Sequence, residues 1–202
     1  MNDTQLARYY DKKTDEVKTV TIGDYNNLVD QQDRNGLAEF LYNRLDSRYL
    51  LPHRYEGDEY AKKYKNGFSM MASYCLLIET IQSFRNGWGT SDRRSGDAFK
   101  QFFMQTTNFA DLKPDADEIY KHIRCGILHQ GETTKGWKIT RQGGSSVYTP
   151  ETKTLDAIQF GVELEKELLK YASDLQGADW DSSLWDNFRV KMRKLIEQCS
   201  TT

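Results

Sequence analysis

Long apolar runs are absent from this sequence, and cysteine and histidine are scarce. No stretch approaches the roughly 20 apolar residues that a membrane helix needs, and the N-terminus, MNDTQLARYYDKK, lacks the apolar segment of a signal peptide. The three cysteines show no CxxC spacing, which argues against a disulfide framework or a zinc site. The three histidines include no pair at the i, i+4 spacing. We therefore expect a cytoplasmic protein with reduced thiols, no membrane partner, no cofactor and no metal.

Overall charge does not mark the chain as a nucleic-acid binder, because the net charge is −2 at pH 7. The charge is unevenly distributed, however, and residues 121–141 contain several basic residues against Glu132 alone. We call this stretch the basic zone, and its members are Lys121, Arg124, Lys135, Lys138 and Arg141. A local basic zone can steer a polyanion to a site. The alternative is an ordinary solvated surface.

The length of 202 residues favours one domain with one core. Residues 1–23 are polar and end in the β-prone run VKTVTI, which predicts either a loose arm or an edge strand. Residues 24–202 show repeated helical periodicity, which predicts a single helical-bundle domain. The predicted fold class is therefore all-α, with one small β-hairpin insertion.

The strongest helical pattern lies in FSMMASYCLLIETIQSFRNG. Two adjacent apolar stripes run along it, formed by Met70, Tyr74, Leu77, Ile81 and Phe84 and by Met71, Cys75 and Ile78. A face this wide predicts a helix buried in the middle of the bundle. Glu79 is the charged exception, and it either faces solvent or pairs with a nearby arginine or lysine.

Other segments each predict a helix with one buried face. Their expected core residues are Leu37, Phe40, Leu41 and Leu45 before Pro52, then Phe99, Phe102 and Phe103, then Leu164, Leu168, Tyr171 and Leu175, and finally Leu184, Phe188, Met192 and Leu195. Between 136 and 149, GWKITRQGGSSVYT predicts a hairpin that turns at Gly143 and Gly144.

A further helix is predicted over about residues 114–130. Pro114 and the acids that follow it suit a helix start, and Gly131 suits the left-handed residue that ends one. This helix contains IRCGILHQ, in which Arg124 and His129 form an Arg-x4-His pattern. The same pattern recurs in RYLLPH, where it runs into Pro52, and there we interpret it as accidental.

The directions of Arg124 and His129 on an ideal helix differ. At about 100° per residue, Arg124 lies just past one border of the core face, and His129 lies about 140° further round. Lys121, Cys125 and Leu128 lie between them on the side away from the core. If this face pairs with its own copy across a two-fold axis, each subunit brings an arginine and a histidine to a shared cleft.

The chemistry available to such a pair is RNA cleavage without a metal. An imidazole can take a proton from a ribose 2′-hydroxyl and return one to a leaving oxygen, while a guanidinium can donate to a phosphate whose charge grows in the transition state. Internal attack by the 2′-oxygen predicts a 2′,3′-cyclic phosphate product and no activity on DNA. The structural alternative is a histidine favoured by the helix dipole and an arginine whose stem covers apolar surface.

The stretch IRCGILHQGET, on a helical background, resembles the Arg-x(4–6)-His motif of the HEPN superfamily. The helix MMASYCLLIETIQSF resembles the helix that packs beneath the motif in that family, and the resemblance covers roughly residues 65–175. It implies a HEPN-like helical bundle and a homodimer with Arg124 and His129 as the catalytic pair at its interface. It also implies a metal-independent endoribonuclease of toxin–antitoxin or phage-defence type, whose partners are RNA and an antitoxin or regulatory protein.

One position departs from the pattern of active members, in which Asn, Asp or His often follows the motif arginine. Here that position is Cys125, whose thiol hydrogen-bonds weakly. Gln130 and Glu132 either support His129 and the substrate or simply face solvent at the helix end. The alternative function is a catalytically inactive HEPN-like module that binds RNA, a nucleotide or a protein. A third hypothesis is a plain helical interaction protein.

The predicted hairpin supplies the remaining candidates for RNA binding. Trp137, Lys138 and Arg141, with Lys121 on the motif helix, would clamp RNA by stacking and charge. The alternative is an ordinary hairpin that covers the bundle, with Trp137 in the core.

Overall fold

The computed structural model describes residues 4–11, 14–54 and 66–200. It is 64% helical, which confirms a mostly helical fold, and strands make up a small part. The helices are α1 (Ile22–Asp30), α2 (Arg34–Leu45, continued by a π-helical turn Asp46–Leu50 and a 3-10 turn Leu51–His53), α3 (Gly67–Arg85), α4 (Ser95–Gln105), α5 (Ala116–Ile119, π-helical Tyr120–Arg124 and Cys125–Gln130), α6 (Ala157–Gly177) and α7 (Ser183–Ser200).

Helix α3 lies in the core of the bundle, as its two apolar stripes predict. All eight stripe residues are buried, and α3 packs against α4, α6 and α7. The predicted core residues of α4 and α6 are also buried. On α7, Phe188 and Met192 are buried as predicted, but Trp185 is fully buried where Leu184 was expected. The Trp185 indole fills this core position. Its ring packs edge-on against the Phe188 ring, with the ring centroids 5.1 Å apart.

The N-terminal residues form strands rather than a loose arm. Strand β1 (Gln5–Asp11) pairs antiparallel with β2 (Glu16–Thr21), and Leu6 is only 1% exposed. Of the two alternatives for residues 1–23, the described part shows strands, and Leu6 and Ala7 join the core. Residues 1–3, 12 and 13 lie outside the described residues. Helix α1 begins at Ile22, just before the predicted domain start.

The second Arg-x4-His match separates into two unrelated contacts. The Arg48 guanidinium donates through Nη2 to the Leu6 carbonyl oxygen, 3.0 Å away, and so fastens the N-terminal hairpin to α2. His53 Nε2 lies 2.9 Å from the Ser73 hydroxyl on α3. The two residues thus contact different elements, which agrees with an accidental match.

A small sheet follows α5 in place of the predicted hairpin over 136–149. Strands β3 (Lys138–Thr140) and β4 (Tyr148–Thr149) do not pair with each other, because β5 (Thr154–Asp156) lies between them. The pairing of β3 with β5 is parallel and that of β4 with β5 is antiparallel. The prediction assumed that neighbouring strands pair.

Asp156 explains why β5 ends where α6 begins. Its Oδ1 accepts from the Ile158 and Gln159 backbone N–H groups and caps α6. Its Oδ2 accepts from the Gln142 and Gly143 N–H groups, 2.8 and 2.9 Å away, and so fixes the loop after β3. One carboxylate therefore joins the helix, the strand and the loop.

Within the part of the chain that the structure describes, no helix combines the length and apolar character needed to cross a membrane.

Candidate active site

The helix that carries Arg124 and His129 contains a π-helical turn that ends at Arg124, the first residue of the Arg-x4-His stretch. The turn spans Tyr120–Arg124, and the Cys125 N–H donates to the Tyr120 carbonyl oxygen. Single π-turns inside α-helices are often found at functional sites. The helix ends after Gln130 as predicted, at Gly131 with φ of 70°, whose N–H donates to the Ile127 carbonyl oxygen at 3.1 Å.

Arg124 and His129 meet within one protomer. Arg124 Nη1 lies 3.1 Å from His129 Nε2, so the two side chains come together without a second subunit. The angle of about 140° separates the Cβ directions of an ideal helix, but it does not account for the reach of the arginine side chain. Helical side chains also lean toward the N-terminus, which brings the His129 ring back over the turn that holds Arg124.

Glu79 anchors the arginine from below. Its Oε1 accepts from Arg124 Nε at 2.7 Å, and Glu79 is only 5% exposed. Of the two alternatives for Glu79, the structure therefore shows the one in which it pairs with an arginine. Because Nε is held by Glu79, the Nη atoms of the guanidinium are directed toward the surface, where His129 lies.

Ser95 completes the contacts of Glu79. Its hydroxyl donates to Glu79 Oε2 at 2.9 Å and lies 3.5 Å from Arg124 Nη2. Ser95 was not among the predicted site residues. No local pattern could reveal it, because Glu79, Ser95 and Arg124 lie on three different helices. We call Glu79, Ser95, Arg124 and His129 the α3–α4–α5 network.

The charges of the network are well defined. Burial works against the charge of Arg124, but the hydrogen bond and the charge of Glu79 outweigh it, so the pKa of Arg124 is raised above its usual value. A guanidinium has only N–H donors, so in this contact Arg124 Nη1 donates to His129 Nε2. His129 itself is exposed. The network thus places an exposed imidazole beside the Arg124 guanidinium.

Tyr120 and Cys125 lie close to Arg124. The Arg124 guanidinium carbon lies 5.9 Å from the centroid of the Tyr120 ring. Burial is the largest cause that raises the pKa of Tyr120, and the neighbouring Cys125 adds to it. Cys125 directly follows Arg124 in the helix and is half-buried.

The chain after α5 folds back along the helix. The Glu132 N–H donates to the Gly126 carbonyl oxygen at 3.3 Å, and His122 Nδ1 lies 2.7 Å from the Thr134 hydroxyl. A Cβ on Gly126 would overlap the Glu132 carbonyl oxygen. Gly126 is thus required for the close approach that fixes the helix end and, with it, His129.

We expect Gly126→Ala to displace the segment after α5. Overpacking of this kind typically costs about 1–3 kcal/mol of unfolding free energy, and a shift of His129 would lower any activity of the site. Gly177→Ala is the matched control, because Gly177 also lies in a helix but has open space around its Cβ position. Urea unfolding measures both variants, and equal stability of the two would contradict the close approach at Gly126.

The predicted supporting residues at the helix end are exposed. Gln130 and Glu132 both face solvent, and Glu132 Oε1 accepts from the Thr133 backbone N–H at 3.1 Å. This arrangement matches their solvent-facing alternative.

Of the two alternatives for Trp137, the structure shows the one in which its side chain lies in the core. Trp137 is 3% exposed, and its ring stacks on Tyr148 with the centroids 5.5 Å apart. Tyr148 in turn donates to Asp115 Oδ2, 3.0 Å away. The indole is therefore a core group that joins the small sheet to the start of α5, and its faces are not available to a base.

Not every member of the basic zone lies at the network. Lys121 and Lys138 are exposed, but Arg141 packs beside Gly67 at the start of α3. At about 1.5 Å per residue, Gly67 and Glu79 are about 18 Å apart along that helix. Arg141 thus lies apart from the network, although the zone is contiguous in sequence.

Among the described residues, no cluster of three or more His, Cys, Asp or Glu side chains is arranged to hold a metal ion. Comparison with protein-family models, curated proteins and solved structures finds no match to this chain. The function is therefore inferred from the geometry of the network and its chemistry.

Proposed function

We propose that this protein is a metal-independent endoribonuclease with a HEPN-like helical bundle, in which Arg124 and His129 are the catalytic residues. The observation that carries the proposal is the contact of 3.1 Å between Arg124 Nη1 and His129 Nε2. It places an acid–base group and a phosphate-binding group side by side at the surface. Glu79 is a positioning residue, because it holds the arginine and does not reach the surface.

The proposed reaction begins when a phosphodiester displaces the resting contact. A phosphate oxygen accepts from Arg124 Nη1, which frees the lone pair on His129 Nε2. That nitrogen takes the proton of the ribose 2′-hydroxyl, and the 2′-oxygen attacks phosphorus. The bond from phosphorus to the 5′-oxygen breaks, the imidazolium returns the proton to that oxygen, and a 2′,3′-cyclic phosphate remains. The guanidinium stabilises the negative charge that builds on the phosphorane.

The homodimer remains part of the proposal, but its role changes. Because one protomer already assembles the pair, a dimer is not needed to join arginine to histidine. It would instead place two complete pairs along one cleft. The toxin or phage-defence setting and the antitoxin partner stay predictions from the resemblance, and the cytoplasmic location stays a prediction from the composition.

The proposal is tested by incubating single-stranded RNA with the protein in EDTA. We expect wild-type cleavage with 2′,3′-cyclic phosphate ends, no cleavage of the same sequence as DNA, and a loss of at least about 100-fold in His129→Ala. His53→Ala is the matched control, since it belongs to the second Arg-x4-His match and should keep the activity. Cleavage that survives in folded His129→Ala, or that chelation removes, would contradict the proposal.

A second candidate is a catalytically inactive module that binds RNA, a nucleotide or a protein. The observation in its favour is that the Arg124 side chain is only 14% exposed and pairs with a buried carboxylate, as a structural arginine does. Folded wild-type protein that binds RNA without cutting it would make this candidate the function.

A further inference from the structure

The loop that joins α3 to α4 borders the network. It spans residues 86–94 and ends at Arg94, directly before Ser95. The Ser95 hydroxyl lies 2.9 Å from Glu79 Oε2 and 3.5 Å from Arg124 Nη2. Because adjacent Cα atoms are about 3.8 Å apart, the backbone of Arg94 lies next to the arginine proposed to bind the scissile phosphate.

This loop holds an aromatic ring and exposed positive charge together. The Arg94 guanidinium carbon lies 5.3 Å from the centroid of the Trp88 ring. Trp88 is half-buried, whereas Arg93 and Arg94 are exposed. Stacked indole and guanidinium planes are the groups on which proteins stack unpaired RNA bases, and a flanking arginine suits a backbone phosphate.

Helix α7 fixes the loop in this position. Lys191, which is 8% exposed, donates from Nζ to the Gly89 carbonyl oxygen at 3.1 Å. Asn187 Nδ2 donates to the carbonyl oxygen of Arg85, the last residue of α3, at 2.7 Å. On the α3 side, the Trp88 backbone N–H donates to the Ser83 carbonyl oxygen at 2.8 Å. A loop anchored on both sides loses little conformational freedom when a ligand binds.

We propose that Trp88, Arg93 and Arg94 form an RNA-binding platform beside the catalytic pair. The base next to the cleaved phosphodiester stacks on the Trp88–Arg94 unit, and Arg93 donates to a neighbouring phosphate. The platform supplies the stacking role that buried Trp137 does not fill. This inference rests on the proposed nuclease function, since that function makes single-stranded RNA the ligand.

The test measures the affinity of a labelled single-stranded RNA for full-length protein that carries His129→Ala, so that the RNA stays intact during fluorescence anisotropy. In this background, Trp88→Ala and Arg94→Ala are each expected to raise Kd roughly 10-fold or more, since one stacked base contributes on the order of 1–3 kcal/mol. Trp88→Phe keeps a ring and should retain most of the affinity. Arg94→Lys keeps the charge but not the planar stack, and should behave like Arg94→Ala.

Arg189→Ala is the matched control. Arg189 also places its guanidinium over an indole, that of Trp180, with 4.6 Å between carbon and centroid, and its removal subtracts the same charge. We expect its Kd to match that of the parent.

The outcomes separate this inference from the proposed function. If the loop variants bind like the parent, or if Arg189→Ala weakens binding as much as they do, the platform is wrong, whether or not the wild type cleaves RNA. If the loop variants lose affinity but the wild type does not cut RNA, the platform stands and the nuclease function falls. A parent protein that binds no RNA would overturn the platform.

Discussion

Replacement of Glu79 by alanine is expected to lower the free energy of unfolding by about 3–5 kcal/mol, since removal of one partner from a buried ion pair leaves the other charge uncompensated. Glu79 is 5% exposed, and its contact to Arg124 Nε spans 2.7 Å. Alanine would also leave the Ser95 hydroxyl without the oxygen to which it donates. Urea unfolding followed by far-UV circular dichroism measures the loss.

The glutamine variant separates charge from shape. Glu79→Gln keeps an oxygen that can accept from Arg124, so we expect it to lose less stability than Glu79→Ala, about 1–3 kcal/mol. Asp174→Ala is the control, because Asp174 pairs with Lys170 at 2.7 Å on the solvent-exposed face of α6, where such pairs contribute about 1 kcal/mol or less. If Glu79→Ala costs no more than this control, Glu79 does not anchor the arginine.

Cleavage by the Glu79 variants tests the link between stability and function. If Glu79 only positions Arg124, then Glu79→Gln, assayed where it is fully folded, should cut RNA more slowly while its product ends stay the same. Full wild-type activity of folded Glu79→Gln would show that the catalytic arginine does not depend on the buried charge.

Periodicity made the helices predictable because each one must bury a continuous apolar face. The same reasoning marked Glu79 as exceptional, since a charge inside an apolar helix requires a partner. It did not identify Arg124 or Ser95 as the partners, because their contacts join helices far apart in sequence. Gly126 gave no local signal either, as its requirement arises only when the chain folds back past Gly131.

The region after α5 was less predictable for a different reason. A turn signal at Gly143 and Gly144 predicts a change of direction but does not say which strands pair. The strand β5 that separates β3 from β4 follows both of them in the chain, and its three residues resemble the start of the next helix. Trp137 is buried because of how this sheet forms. The predicted role of Trp137 in stacking on RNA could therefore not be rejected without knowing that β5 lies between β3 and β4.

Replacement of Arg124 by lysine is expected to lower the cleavage rate about 100-fold or more, although the positive charge is kept. The guanidinium contacts Glu79 through Nε, His129 through Nη1 and Ser95 through Nη2 at once. A lysine ammonium is a point charge without this planar fork, so it can remain near Glu79 or reach the phosphate but cannot do both. Arg48→Lys, in the second Arg-x4-His match, is the control and should keep the activity.

The double variant Arg124→Lys/His129→Ala shows whether the two side chains act as one unit. If they act on the same transition state, the second replacement should add little to the loss caused by the first. Independent roles predict instead that the two fold-losses multiply. Single-turnover cleavage rates in EDTA distinguish these results. If Arg124→Lys cuts RNA as fast as the wild type, a point charge is sufficient, and cleavage does not require the forked contact with Glu79 and His129.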